Sequence, residues 1–232
     1  MTPTPPAPLL EALQGQLVVS AQADPGSPLR DTALIAAMGR AAILGGAGGL
    51  RLRGGPDIAA LRPLTRLPII GLTKNDHPGT EVYITATPAE VAEVARAGAD
   101  LVAFDATRRP RPHSVQELTG TVHTHGALAM ADVSTLAEAE AALESGADLV
   151  STTMSGYTAH SPQSDEPDWA LMAALGERGL PFAAEGRLRT PEHARRALDL
   201  GALCVVVGSA ITRPDDVTRW FVGALRDPAA RP

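Results

Sequence analysis

Along the chain, short apolar runs bounded by glycine, proline or charge alternate with Ala/Leu/Glu/Arg-rich segments whose apolar positions recur every three to four residues. The first kind predicts buried strands and the second predicts helices. Eight strands are expected: LVVSAQA (17–23), GLRLRG (49–54), LPIIGLTK (67–74), DLVAFDAT (100–107), ALAMADV (127–133), DLVSTTM (148–154), LPFAAEG (180–186) and LCVVVGSA (203–210). Helical segments such as TPAEVAEVARAG, TLAEAEAALESG and TPEHARRALDLG lie between them, several opened by Thr-Pro and closed by Gly, the usual capping asymmetry. AGADLVAFDAT, SGADLVSTTMS and LGALCVVVGSA echo one another as repeated βα units would. An open doubly wound sheet shares this alternation. Eight regular units without a linker or a composition break favour closure into an α/β fold of the (β/α)8 TIM-barrel type. The expected organisation is a single barrel domain over residues 15–228 behind a loose tail over 1–14.

Each predicted strand begins apolar and ends polar. The polar residues therefore collect on one sheet edge: Gln22, Arg51, Arg53, Lys74, Asp105, Asp132, Thr152, Thr153, Glu185 and Ser209. In a barrel that edge is the C-terminal rim, where barrel enzymes hold their active sites. Lys74 is the only lysine among 20 Lys and Arg residues. An amine can give up its proton where a guanidinium cannot, so a lone rim lysine points to proton chemistry. Glu185 and Asp132 fit either rim salt bridges or acid–base roles. Asp105 is expected to pair with nearby Arg108 or Arg109. After the seventh and eighth strands, Gly186-Arg187, Gly208-Ser209 and Arg213 match the place where barrels bind phosphate on exposed amides and a helix N-terminus.

Composition narrows the picture. With 44% hydrophobic but only 3% aromatic residues, the interior must be built from Ala, Val, Leu and Ile, as in parallel sheets covered by helices. A net charge of -6 disfavours nucleic acid as a partner, and the basic stretch TRRPRP (107–112) lacks interleaved aromatics, so it reads as a solvated loop. The single cysteine, Cys204, lies in an apolar run and reads as a buried structural thiol. The start lacks a signal-peptide pattern and no segment has the length of a membrane span, so a cytoplasmic location without a membrane partner is expected. His123 and His125 are two apart, which on a helix turns them about 200° from each other and rules out one shared metal site. His77 and His160 read as solvent-facing, Trp169, Trp220 and Met172 as packing, and no metal is expected.

The stretches SAQA, GGLRLRG, GLTKNDHPGTEVYITAT, GADLVAFDATRRPRP, MADVSTL, STTMSGYT, AAEGRLRTPEHA and VVVGSAITRP occur collinearly. Over roughly residues 17–225 the chain resembles the N-acetylmannosamine-6-phosphate 2-epimerases (N-acylglucosamine-6-phosphate 2-epimerases). The resemblance implies an isomerase on a phosphosugar in amino-sugar (sialic acid) catabolism, with Lys74 and Glu185 as catalytic pair. It further implies Arg51, Asp132 and Arg213 as active-site residues, Gln22 as a substrate contact, and Gly186, Arg187, Gly208 and Ser209 at the phosphate. Association into a homo-oligomer such as a dimer is implied too, although no segment announces an interface. The chain departs from the family pattern at Ala21, where cysteine is common, and at Arg53, where a small or amide residue is usual.

Inverting C2 of a 2-acetamido sugar needs a neutral base once ring opening places C2 beside the C1 aldehyde. Burial and the arginines at 51 and 213 are expected to keep Lys74 neutral. Glu185 would share one proton with it, and Asp132 would orient the lysine or a sugar hydroxyl. No cofactor is required. The rival readings are a Schiff-base lyase or synthase on a sugar phosphate, which borohydride would trap on Lys74, and a non-catalytic phosphosugar-binding barrel.

Overall fold

A computed structural model of the chain describes residues 8–226. The chain runs α1 (Pro8–Leu13), β1 (Leu17–Ala21), α2 (Thr32–Leu44), β2 (Gly49–Arg53), α3 (Gly55–Leu61), β3 (Ile69–Leu72), α4 (Pro88–Arg96), β4 (Leu101–Asp105) and α5 (Val115–Thr124). It continues through β5 (Leu128–Asp132), α6 (Leu136–Glu144), β6 (Leu149–Ser151), α7 (Trp169–Glu177), β7 (Phe182–Glu185), α8 (Pro191–Asp199), β8 (Cys204–Val207), α9 (Ser209–Thr212) and α10 (Pro214–Arg226). All eight strands pair in parallel with their sequence neighbours, and β8 pairs with β1, so the sheet closes into the expected (β/α)8 barrel. Each predicted strand is present, shortened at its polar end and, in β3 to β8, by one or two residues at its start as well.

Local signals explain the helix starts. The Thr87 and Thr135 side chains each accept from the backbone three residues on, and Glu90 and Glu138 reach back to close the capping box. Asp31, Ser114, Asp168 and Thr190 cap α2, α5, α7 and α8 in the same way.

Successive strand residues point to opposite faces, which separates two apolar regions. Leu50, Leu52, Val102, Phe104, Phe182 and their like pack outward against the helices. Val18, Ile70, Leu101, Met130, Leu149, Ala183 and Cys204 fill the lower barrel interior. Leu10 and Leu13 of α1 are buried in this inner cluster, so residues 8–13 are a helix that stoppers the barrel and not part of a loose tail. The prolines at 3, 5 and 6 hid it, because a six-residue helix has too little periodicity to read; residues 1–7 lie outside the described residues. Cys204 is buried as expected, and burial pushes its thiol up to about 12.

The solvated-loop expectation for 107–112 does not hold. Asp105 is fully buried and draws in both Arg109 and Arg111, whose side chains are 10% and 13% exposed, while Arg108 contributes only its amide, to Glu138 at 2.8 Å. A buried carboxylate needs donors, and two arginines within reach supply them. His77 likewise turns in to Glu90, at 3.3 Å.

At Gly176 of α7 the chain passes close to the end of α8: a Cβ there would sit 1.9 Å from the Leu200 carbonyl oxygen. Gly176→Ala is therefore expected to destabilise by about 1–3 kcal/mol, lowering Tm by roughly 2–12 °C. Gly120→Ala, at an open position on α5, is expected to raise stability by up to about 1 kcal/mol. Thermal melts of the two variants check both signs.

Candidate active site

The same alternation that builds the core builds the site. Continuing the inner-face parity upward from Val18, Ile70, Met130, Leu149, Ala183 and Val206 leads to Ser20 and Gln22, Lys74, Asp132, Ser151 and Thr153, Glu185 and Gly208. β2 contributes Arg51 and Arg53 on this face. The upper barrel interior is thus polar where the lower is apolar. Above it opens a cavity of about 460 Å³, which Gln22, Arg51, Lys74, Glu185, Gly186, Arg187, Gly208, Ser209 and Arg213 line together. Of the sequence-predicted site residues only Asp132 is absent from the lining, because it lies beneath Arg51.

Arg51 is the bulkiest fully buried side chain described. Its Nη2 donates to Asp132 Oδ2 at 2.5 Å, and its Nη1 donates to Glu185 Oε2 and to Thr153 Oγ1 at 3.1 Å. Burial alone would push the guanidinium down, but Asp132 and Glu185 together hold it above its usual value. Two carboxylates share this one cation. Burial, with the Glu185 charge adding to it, pushes the Asp132 carboxyl up to about 6. Thr153 Oγ1 lies 2.8 Å from Glu185 Oε2 and 3.0 Å from Asp132 Oδ1, linking the pair. Glu185 Oε1 has no protein partner among the described residues. Both Asp132 oxygens are thus engaged, Oδ2 by Arg51 and Oδ1 by Thr153.

Lys74 follows β3, where a segment folds back: Lys74 bridges Ile84, and the Asn75 amide donates to the Tyr83 carbonyl at 3.0 Å. Asn75 Nδ2 is tied to Glu90 at 2.6 Å and Arg53 Nη2 donates to the Lys74 carbonyl at 2.6 Å, so the backbone carrying the amine is fixed from three sides. The amine itself makes no hydrogen bond or ion pair among the described residues. Burial pushes its pKa down and Arg51 and Arg53 add to the effect, while Glu185 and Asp24 oppose it. Arg213, expected to help, is not among the largest influences on the amine and is paired with Asp24 and Asp216.

The residues predicted to hold a phosphate, Gly186, Arg187, Gly208 and Ser209, line one cavity, and the guanidinium of Arg187 is engaged there. Arg187 donates to the carbonyls of Glu166 and Ser155, both at 2.9 Å, and lies over Tyr157. Its guanidinium occupies the space a side chain at Gly156 would need, 2.3 Å from the Cβ position. The amides opening α9 after Gly208 have no intrahelical acceptor, as at any helix start. Gln22 donates to Ser20 Oγ at 2.9 Å, and its Oε1 is buried without a partner.

Several lining residues escaped the sequence reading. Thr153 stood among the polar strand ends and shares their parity, which is the signal that could have found it. Tyr83 and Ile84 arrive through the fold-back after Lys74, and Trp220 leaves the packing role expected of it to line the cavity under Arg189, 4.9 Å from its ring centre. Trp169 and Met172 do pack against the barrel.

Known proteins share these features. A family model described as "Putative N-acetylmannosamine-6-phosphate epimerase" (NanE) matches residues 35–227. The bifunctional enzyme NanE/NanK of Brucella melitensis is 46% identical over 97% of this chain, which spans 43% of that relative's length. The solved N-acetylmannosamine-6-phosphate 2-epimerase from Clostridium perfringens is 43% identical, with a TM-score of 0.90 over 93% of this chain and 95% of its own. A thiamine phosphate pyrophosphorylase from Pyrococcus furiosus, 20% identical with a TM-score of 0.61 over 91% of this chain and 93% of its own, shares the fold alone. With the family model covering most of its length, the chain belongs to the N-acetylmannosamine-6-phosphate epimerase family.

Proposed function

We propose that the protein epimerises C2 of N-acetylmannosamine 6-phosphate to give N-acetylglucosamine 6-phosphate, as the names of its relatives indicate for them. The observation that carries this reading is the meeting of an unpaired Lys74 amine and the Glu185 carboxyl group in one cavity, from strands four apart in a ring of eight. Inverting a stereocentre requires a proton to leave one face and another to arrive on the opposite face. Groups on opposing walls suit that task.

In the open-chain sugar, neutral Lys74 takes the C2 proton and the C–H electron pair moves toward C1, placing negative charge on the aldehyde oxygen. Glu185, protonated at its unengaged Oε1, returns a proton to the other face of C2. Proton transfer from Lys74 to Glu185 resets the pair. Asp132 and Thr153 support this reading, since the carboxylate pair around Arg51 favours holding a proton and the hydroxyl connects its two members. Gln22 Oε1 is suited to accept from a hydroxyl or the acetamido N–H. The phosphate would lie at the amides of Gly208 and Ser209 and beside Gly186, with Arg187 and Arg213 framing that end. No step calls for a metal or an organic cofactor. The reading includes a cytoplasmic location, which suits a free buried thiol. It also includes a homo-oligomer, which the exposed Phe221 and Leu225 of α10 would favour by offering apolar surface for a second copy to cover.

Lys74→Arg is expected to fold and to lose epimerisation by roughly 10²–10⁴-fold, the span of one acid–base group. Proton NMR of N-acetylmannosamine 6-phosphate in heavy water reads both the gluco epimer and the loss of the C2 proton signal; substantial turnover in this variant would remove the lysine from the mechanism.

The pH dependence has a definite sign. The active form of Lys74 is neutral and its pKa is lowered, so kcat/KM should rise with pH through that depressed value, well below the range where an ordinary lysine titrates, and fall again once the carboxyl proton that the mechanism returns to C2 is lost. A rate that climbs only near about pH 10 would contradict the assignment.

A further inference from the structure

β2 sends two arginines into the upper barrel, Arg51 and, two residues later on the same face, Arg53. The charge of Arg51 is balanced by Asp132 and Glu185. That of Arg53 is not. Of the carboxylates that face it, Asp57 receives Arg30 at 2.9 Å and Thr32 at 2.7 Å, Asp24 receives Arg213, and Asp76 forms no ion pair with it among the described residues. Among the described residues no ion pair reaches Arg53, and its side chain makes one hydrogen bond, to the Lys74 carbonyl. Arg53 is also absent from the lining of the cavity. Its one hydrogen bond is to the peptide unit that carries the amine.

We infer that Arg53 is a positioning residue for Lys74, clamping the peptide at the end of β3 and setting an unbalanced positive charge beside the amine so that the amine stays neutral. The inference rests on the proposed role of Lys74 as base. The charges facing the amine are Arg51 and Arg53 from β2, Glu185 from β7 and Asp24 from the loop after β1. Those facing Arg53 are Arg30 and Asp24 from that loop, Asp57 from α3 and Asp76 from the loop after β3. Burial and Arg51 act first to disfavour the charged amine, Glu185 and Asp24 oppose them, and Arg53 adds its charge to the side that keeps the amine neutral.

The single lysine makes the inference directly measurable. Protein labelled with ¹³C at lysine Cε gives one lysine signal, whose shift with pH reports ionisation of Lys74 without any turnover. In Arg53→Gln, which keeps an amide donor but no charge, and in Arg53→Met, which keeps neither, the midpoint is expected to move up by about one pH unit. The low-pH limb of kcat/KM should move with it. Arg53→Lys, which keeps the charge, should leave that limb at its wild-type position. An unmoved midpoint in both neutral variants would overturn the inference. So would a raised KM at an unmoved midpoint, which would make Arg53 a substrate contact, or a limb that shifts as far in Arg53→Lys as in Arg53→Gln. A wild-type protein without epimerase activity would instead sink the proposed function, and the NMR midpoints would still report whether Arg53 acts on the amine.

Discussion

A buried guanidinium between two carboxylates is the constraint on which the upper barrel depends. Arg51, from β2, reaches Asp132 on β5 and Glu185 on β7, with Thr153 beyond β6 completing the set. Removing ions from water is expensive, and leaving any one of them without its partner costs about 3–5 kcal/mol. The chain therefore holds the ends of these strands in one arrangement, because only that arrangement satisfies the buried charges. The same cluster fixes the electrostatics of the cavity. When the pair holds one proton, as the proposed mechanism requires, the cluster is neutral overall, and Lys74, next around the ring, can respond by changing its protonation where an arginine could not.

The lower barrel makes this arrangement affordable. Its interior is filled with Val, Ile, Leu, Met, Ala and Cys side chains, and α1 closes the far end with Leu10 and Leu13. The polar layer therefore rests on an apolar floor and opens only toward the C-terminal rim. That low-polarity floor explains why burial heads the causes of the shifts at Asp132, Lys74 and Cys204 alike, raising the two acids and lowering the amine.

Much of this was legible in the sequence. Strands buried on both faces are near-continuous apolar runs, and the helices announce themselves through Thr-Pro starts and glycine ends, so the eight units could be counted. Lys74, Glu185, Arg51 and Gln22 were legible because they are the polar terminations of those runs, and strand parity sends them to one face. What the sequence hid was partner choice. Arginine is long enough to reach several acceptors, and tertiary packing decides among them: Arg109 and Arg111 turn inward to Asp105, Arg187 to two carbonyls, Arg213 to Asp24 and Asp216. Tyr83 and Trp220 were hidden for a related reason, since a fold-back and a final helix bring them to the mouth without any periodic signal.

These partner choices bear on how the proposed substrate would be held. A guanidinium paired with carboxylates has its field cancelled, whereas one donating to neutral carbonyls has its donors occupied but its charge intact. Arg213 is of the first kind and Arg187 of the second. At the proposed phosphate end, Arg187 can thus attract the anion through its field while its hydrogen bonds secure the loop before α7. In the proposed mode direct contact would fall to the backbone amides at Gly208 and Ser209, which need no side-chain ordering on binding. Recognition by a fixed cradle with charge behind it suits a remote handle: the phosphate can be gripped without drawing on the charge balance that keeps Lys74 neutral at the reacting carbon.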